Sequence, residues 1–451
     1  MMQLTGNGTS MDSEETGLRK PRQKGFDIAV ANAFAQGAAQ VGKAVGTAAA
    51  GAAGTVAGAA SAGAKAAAEG ARQVHQAFGG EYGEEFEGNL KGDSGAYRTP
   101  EPIVDEREYM EIDRLTERYE RLTSPGVLAK AGKKVAEATP EKVKELTGHV
   151  GAAAKETFHG LTEQELIANA LKAAADGFDK LEEQAARMTV GREFALRSIN
   201  AGPQEEKVSS LDEICLLRSY EVAKAANKTY GQHMGAAAVE GGATGAVGFW
   251  GIPTNFALSM LVYFRAVQSV AMMYGYDVKE DPDELMIAGQ VFSASMSPGS
   301  HGASTDDYVG KVLLFAGAAS VKQAAKKGWT AMIQEGGTAL LIAQMRALAN
   351  KAAQKALVKN GTKGLENSIF MNVLKQVGSK LALKNVVRIV PLFGAGFGLL
   401  FDTAQMDKVI KFADTFYHKR FIMEKPERVH LLTGIDIDGD KEPAEVEPEV
   451  E

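Results

Sequence analysis

Apolar residues recur every three or four positions through most of this chain. In the stretch ending at Leu122, Ile112, Leu115, Tyr119 and Leu122 follow 3-4-3 spacing. Glu and Arg fill the other faces, as in a helix that turns one side to a core. The same period predicts helices over 162–187, 209–231, 254–275, 283–296, 306–326, 329–358, 366–383 and 398–423. A further helix is expected in "TPEKVKELTGHVGAAAKETF" (139–158), where Thr139 can act as N-cap and Pro140 as first helical residue, with acids in the first turn. No segment alternates apolar and polar residues as a half-buried strand does. The expected fold is all-α, a multi-helix bundle.

One stretch departs from the amphipathic pattern. Between Glu240 and Arg265 lie 24 uncharged residues, ten of them Val, Ile, Leu, Met, Phe or Trp. Pro253 divides them into a Gly-rich part, "VEGGATGAVGFWGIP" (239–253), and a helix that is apolar nearly all round, from Phe256 to Met273. Such a helix is buried in protein or in lipid. Arg265 sits at its middle, where a bilayer would charge about 2.5 to 3.5 kcal/mol for it. A protein core would instead require a carboxylate. Glu240 and Asp402, both set in apolar sequence, are the expected partners, giving a candidate buried cluster of Glu240, Arg265 and Asp402.

Composition sharpens this picture. Alanine and glycine inflate the 45 % hydrophobic fraction while aromatics reach only 7 %, which favours close-packed helices of small residues over a sheet. Residues 44–64, "AVGTAAAGAAGTVAGAASAGA", carry no charge, and Gly42/Gly46 and Gly54/Gly58 have small-xxx-small spacing, as in a glycine zipper. This run is long enough for a span, but Val45 and Val56 are its only large apolar residues. It reads as a weak surface helix or a low-complexity arm. The expected domains are residues 1–95, an Ala/Gly-rich arm ending in an acidic Gly-rich linker; 96–430, the helical domain; and 431–451, a disordered acidic tail. A net charge of -7 argues against nucleic acid as the main partner. The single cysteine, Cys215, excludes an intramolecular disulfide, and the polar, acidic start offers no secretory signal. Both favour a cytoplasmic protein.

The sequence holds little recognisable chemistry. "GAAQVGKA" (37–44) has P-loop spacing, but Ala44 replaces the metal-holding hydroxyl and no strand precedes it. Gly242, Gly245 and Gly248 are spaced by three, and "GAGFG" (394–398) lacks the third glycine of a dinucleotide fingerprint. Both read as helix contacts. Asp436, Asp438 and Asp440 suggest a calcium loop, but Lys441 stands where its sharp turn needs glycine. The seven histidines show no zinc spacing. No cofactor, metal or catalytic residue is therefore assigned.

Four segments together resemble a known family. "EGGATGAVGFWGIPTNFALSMLVYFRAVQSVAMMYGYD" (240–277) is similar to the central signature of the EcsC protein family. "TPEKVKELTGHVGAAAKETF" (139–158), "INAGPQEEKVSSLDEI" (199–214) and "VVRIVPLFGAGFGLLFDTAQMDKVIKFADTFYHKRF" (386–421) resemble its opening, linker and closing elements, in that order. The last of these is expected to carry a final amphipathic helix from Asp402. The matching signature positions are Glu240, Gly241, Gly242, Gly245, Gly248, Pro253, Tyr274, Gly275, Tyr276 and Asp277. Relative to shorter members, the N-terminal arm and residues 297–365 look expanded.

The resemblance implies no catalytic residues. It implies an association with a bacterial ABC-transporter operon linked to secretion and competence. The leading expectation is a non-enzymatic helical protein at the cytoplasmic face of a membrane, an accessory or scaffold for transport, secretion or envelope processes. Its partner would be a membrane surface or a membrane protein. The alternatives are a soluble cytosolic interaction module that buries its apolar segments internally, and an enzyme or small-molecule or lipid binder with a pocket near Glu240, Arg265 and Asp402. The sequence leaves the oligomeric state open.

Overall fold

A computed structural model describes residues 86–123, 190–230, 252–296, 308–328, 336–361, 364–380 and 394–435, with isolated helical positions at 334 and between 168 and 176. The description leaves out the side chains at 252–255, 308, 324–325, 378–380 and 394–404. Residues 1–85 of the expected arm and linker, the 139–158 helix, most of the 162–187 helix and residues 436–451 lie outside the described residues, as does 231–251, which contains Glu240 and the glycines at 241, 242, 245 and 248.

The described chain is all-α. Its helices are α1 (Glu106–Thr123), α2 (Arg192–Asn200), α3 (219–230), α4 (Ile252–Met273), α5 (Pro282–Met296), α6 (Tyr308–Phe315), α7 (Ala318–Lys327), α8 (Thr338–Asn360), α9 (Leu365–Lys380) and α10 (Gly394–Thr433). Among the described residues the only β feature is an isolated bridge between Lys91 and Tyr97.

Local chemistry fixes several helix starts. At α1 the Glu108 N–H donates to the Asp105 carboxylate at 2.8 Å and the Asp105 N–H donates back to the Glu108 carboxylate at 3.1 Å, a reciprocal cap. At α5 the Asp281 carboxylate accepts the Asp283 N–H at 2.8 Å, and Pro282 holds the first helical position. The 3-4-3 residues Ile112, Leu115, Tyr119 and Leu122 are all buried, as their spacing predicts.

Helix α10 is the axis of the bundle, with α1, α4 and α5 packed on it. Helix α1 runs antiparallel to it, since Glu108 meets Lys425 while Tyr119 meets Phe412. Helix α5 is also antiparallel, with Glu284 against Arg420 and Met296 against Gln405. Helix α9 lies beside α5. A Cβ built on Gly289 would come within 2.8 Å of the Ile369 Cγ2, so this glycine permits close approach of the two helices.

The structure departs from the periodicity reading in four places. The predicted 209–231 helix divides into a 3₁₀ turn, Asp212–Leu216, followed by α3. Ile214, Cys215, Leu216 and Leu217 are buried in succession, which no single face of an α-helix allows. The predicted 306–326 helix breaks at 316–317. Helix α2 has no counterpart in the prediction, since nine residues span too few turns for a clear period. Finally, α10 begins before Asp402 and passes through Pro426 to Thr433, and it is not amphipathic. Every side chain from Asp414 to Lys425 is buried, charged ones included.

Two segments sit differently from their simplest reading. Residues 86–104, within or next to the supposed linker, pack on the core through Leu90 and Val104, and Asn89 is hydrogen-bonded to Glu205 and Lys207. Among the described residues, α4 is the one helix long and apolar enough to cross a membrane, and all of Phe256–Met273 is buried inside the protein.

Candidate functional site

The residues 274–277, "YGYD", close α4 and wrap onto α10. After a helix C-terminus the chain must reverse, and Gly275 does so with φ of +78°. A Cβ there would lie 2.5 Å from the Arg428 guanidinium and 2.6 Å from the Leu211 carbonyl oxygen. Arg428 donates to the Tyr274 carbonyl at 3.0 Å and the Gly275 carbonyl at 2.9 Å, placing a cation on the negative end of α4. The Asp277 carboxylate accepts the N–H groups of Lys279 and Glu280 at 2.9 and 3.1 Å, which shapes the turn into α5.

Both tyrosines lie against the buried charges of α10. The Tyr274 hydroxyl donates to Asp414 at 2.7 Å, and Arg118 donates to the other oxygen of that carboxylate at 2.6 Å. The Tyr274 ring stacks on His418 with centroids 5.6 Å apart. Burial works to raise the Asp414 pKa, but Arg118, then His418 and its hydrogen bonds, hold it below the usual carboxylate value. Burial also lowers the His418 pKa below the ordinary imidazole value. Burial first, then the Asp414 charge, pushes the Tyr274 hydroxyl well above the ordinary range. It is a donor, not a latent phenolate.

One turn further, Arg420 grips Glu284 through two bonds of 2.6 and 2.7 Å and donates to Glu424 at 2.8 Å. Arg346 of α8 joins Glu424 at 3.2 Å. The Tyr276 ring lies 4.0 Å from the Arg420 guanidinium carbon and packs on Tyr417. The third group centres on Glu108, which accepts Lys425 at 2.8 and 3.1 Å, the Ser219 N–H at 2.7 Å and Arg218 at 3.4 Å. That carboxylate caps α1 and also sits at the positive start of α3.

Each buried acid of these three groups thus has a cation, and the charges neutralise one another inside the bundle. Two lysines of α10 differ. Lys419 donates to the Thr116 hydroxyl at 2.7 Å and to the Leu313 carbonyl, and burial draws its pKa down to about 8. Lys408 is buried, its amine has no hydrogen-bond partner among the described residues, and burial alone lowers it to about 8. A cleft of about 270 Å³ opens elsewhere, lined by Asn89, Arg98, Glu205, Glu206, Arg218 and Glu221 among others. Its Arg218 is already committed to Glu108 and to the carbonyls of Glu101 and Pro102. Among the described residues, no group of His, Cys, Asp and Glu is arranged to hold a metal.

The sequence-derived candidates fare unevenly. Tyr274, Gly275 and Tyr276 come together with α10 in one assembly, and Asp277 shapes the turn that follows. Pro253 lies in the first turn of α4, one residue after its start. Arg265 is buried in the protein interior. Its proposed partner Glu240 lies outside the described residues, and of Asp402 only the backbone position in α10 is described. Sequence reasoning missed Glu108, Arg118, Glu284, Arg346, Asp414, Arg420, Glu424, Lys425 and Arg428. A signal was present: "DTFYHKRFIMEK" (414–425) spreads ionic residues around the whole helix, with aromatic residues between them.

No curated protein and no solved structure matches the chain. The model of the EcsC protein family matches residues 108–422, from the buried acid of α1 to the middle of α10. The chain belongs to the EcsC protein family.

Proposed function

We propose that this chain is a non-enzymatic helical scaffold that works as a peripheral accessory at the cytoplasmic face of a membrane, serving transport, secretion or envelope processes. The observation that carries the scaffold part of the reading is the burial of Phe256–Met273 of α4 inside the protein. With its most apolar helix satisfied by α10, α5, α9 and α2, the bundle is self-contained, and its contacts with partners are made through its surface. The internally neutralised charges fit a rigid scaffold, because each has a fixed structural partner rather than an open face toward a substrate. The membrane part of the proposal rests on the Gly-rich and apolar sequences 241–251 and 386–393 and on the transporter association that the resemblance implies.

A second reading, a cytosolic interaction module without lipid contact, is favoured by the same burial of α4. Gentle lysis followed by fractionation separates the two. A peripheral accessory sediments with membranes and is released by alkaline carbonate, whereas an integral protein stays behind. Recovery of the whole pool in the soluble fraction overturns the membrane reading and leaves the interaction module.

A further inference from the structure

Charge is distributed unevenly along this acidic chain. Residues 308–364 hold nine of its 50 Lys and Arg but one of its 57 Asp and Glu, Glu335. Helix α8 falls within this segment and contains no acid at all. Its inner face is set by Ala339, Ile342, Met345, Ala349 and Ala353, which are buried. One cation, Arg346, is spent on Glu424. The outer face is made of Gln344, Ala347, Leu348, Lys351, Gln354, Lys355, Val358 and Lys359, all exposed. Lys351, Lys355 and Lys359 stand four residues apart, so they form one ridge along the helix. Val358, 89 % exposed, and Leu348, 37 % exposed, flank that ridge.

A lysine ridge with isolated apolar side chains and no carboxylate is an unusual solvated face. On an ordinary exposed helix, acids placed three or four residues away would pair with such lysines. What it complements is an anionic sheet with an apolar layer beneath: the lysine amines reach headgroup phosphates and carboxylates while Val358 and Leu348 touch the acyl boundary. Helices α6 and α7 pack against α8 and extend the same character, with Phe315 70 % exposed and Lys326 exposed at the end of α7.

We propose that the outer face of α8 is the docking surface of this protein for anionic lipid. The proposal rests on the peripheral-membrane reading above and adds to it the lipid class and the residues that bind it.

The experiment is flotation of the full-length chain with vesicles of phosphatidylcholine alone and with about 30 % phosphatidylserine, at about 0.1 M and about 1 M salt. Each lysine at an anionic surface contributes roughly fivefold in partitioning, so the triple variant Lys351→Gln, Lys355→Gln, Lys359→Gln should bind anionic vesicles on the order of 100-fold more weakly. Val358→Asp should weaken binding on its own, and high salt should suppress binding of the wild type. These positions are exposed, so thermal unfolding of the variants should match the wild type. Equal binding of wild type and triple variant to anionic vesicles overturns the α8 surface and leaves the membrane reading standing. Equal binding of the wild type to neutral and anionic vesicles does the same. No binding of the wild type to either vesicle overturns the α8 proposal, while the fractionation above decides the membrane reading independently. Retention on an acidic polymer such as heparin or RNA without vesicle binding assigns the face to another polyanion and also overturns the proposal.

Discussion

Gly275 and Lys408 are single residues whose environments set opposite expectations. At Gly275 a side chain meets both a left-handed backbone and the Leu211 carbonyl. Gly275→Ala should therefore cost about 3 kcal/mol, the sum of conformational strain and overpacking, in denaturant unfolding. A cost below about 0.5 kcal/mol would show that the turn relaxes freely. Lys408 is the converse case. Its amine has been taken out of water with no hydrogen bond or acid among the described residues to compensate. Replacing it with methionine, which keeps the stem and removes the charge, should stabilise the protein by about 2 kcal/mol at neutral pH. For a lysine whose folded pKa is lowered to about 8 from 10.5, stability rises with pH between those two values. That rise should be smaller in Lys408→Met.

Among the elements, α10 is decisive, because its charges join α1, α5 and α8 to one axis. The Arg420–Glu284 pair is buried on both sides. Removing one partner leaves an ion in a medium that cannot solvate it. Arg420→Met or Glu284→Gln alone should each cost about 3 to 5 kcal/mol. The double variant Arg420→Met, Glu284→Gln should recover part of that loss, and additive costs in the cycle would show that the two side chains act independently. Pro426 sits inside α10, although an interior proline typically costs about 3 kcal/mol. The flanking contacts of Lys425 with Glu108 and of Arg428 with the Tyr274 and Gly275 carbonyls hold the helix on both sides of it.

For the molecule as a whole, the buried network makes acid the destabilising direction. Burial lowers the His418 pKa, so as pH falls below its ordinary 6.5 the unfolded chain takes up a proton that the folded chain resists. Asp414 and Glu424 have lowered pKa values. The stability they contribute is present above their ordinary 3.8 and 4.5 and is lost as pH falls through their folded values. Thermal unfolding should therefore drop in two stages, the first setting in as pH falls below about 6.5 and the second below about pH 4.5. His418→Phe should flatten the first stage and leave the second. A single transition confined to the carboxylate range in the wild type would remove His418 from the account.

Much of this architecture was written in local pattern. The spacing of Ile112, Leu115, Tyr119 and Leu122 determined the buried face of α1, and the continuous apolar run after Pro253 determined that α4 is enclosed on all sides. Resemblance in four ordered segments was enough to reach the family, and the turn at 274–277 is a local requirement of the backbone through the positive φ of Gly275. Whether α4 is enclosed by lipid or by protein is a different kind of question. Hydrophobicity is non-directional and does not name its partner; the packing of α10, α5, α9 and α2 around α4 answered it. Charge pairing is likewise beyond sequence reading, since Glu108 and Lys425 are 317 positions apart and meet only because α1 and α10 run antiparallel. Sequence by itself determined the all-α class, the buried faces of α1 and α4, and the family. Tertiary structure alone decided which charges neutralise one another, because Coulomb attraction depends on distance in space and not along the chain.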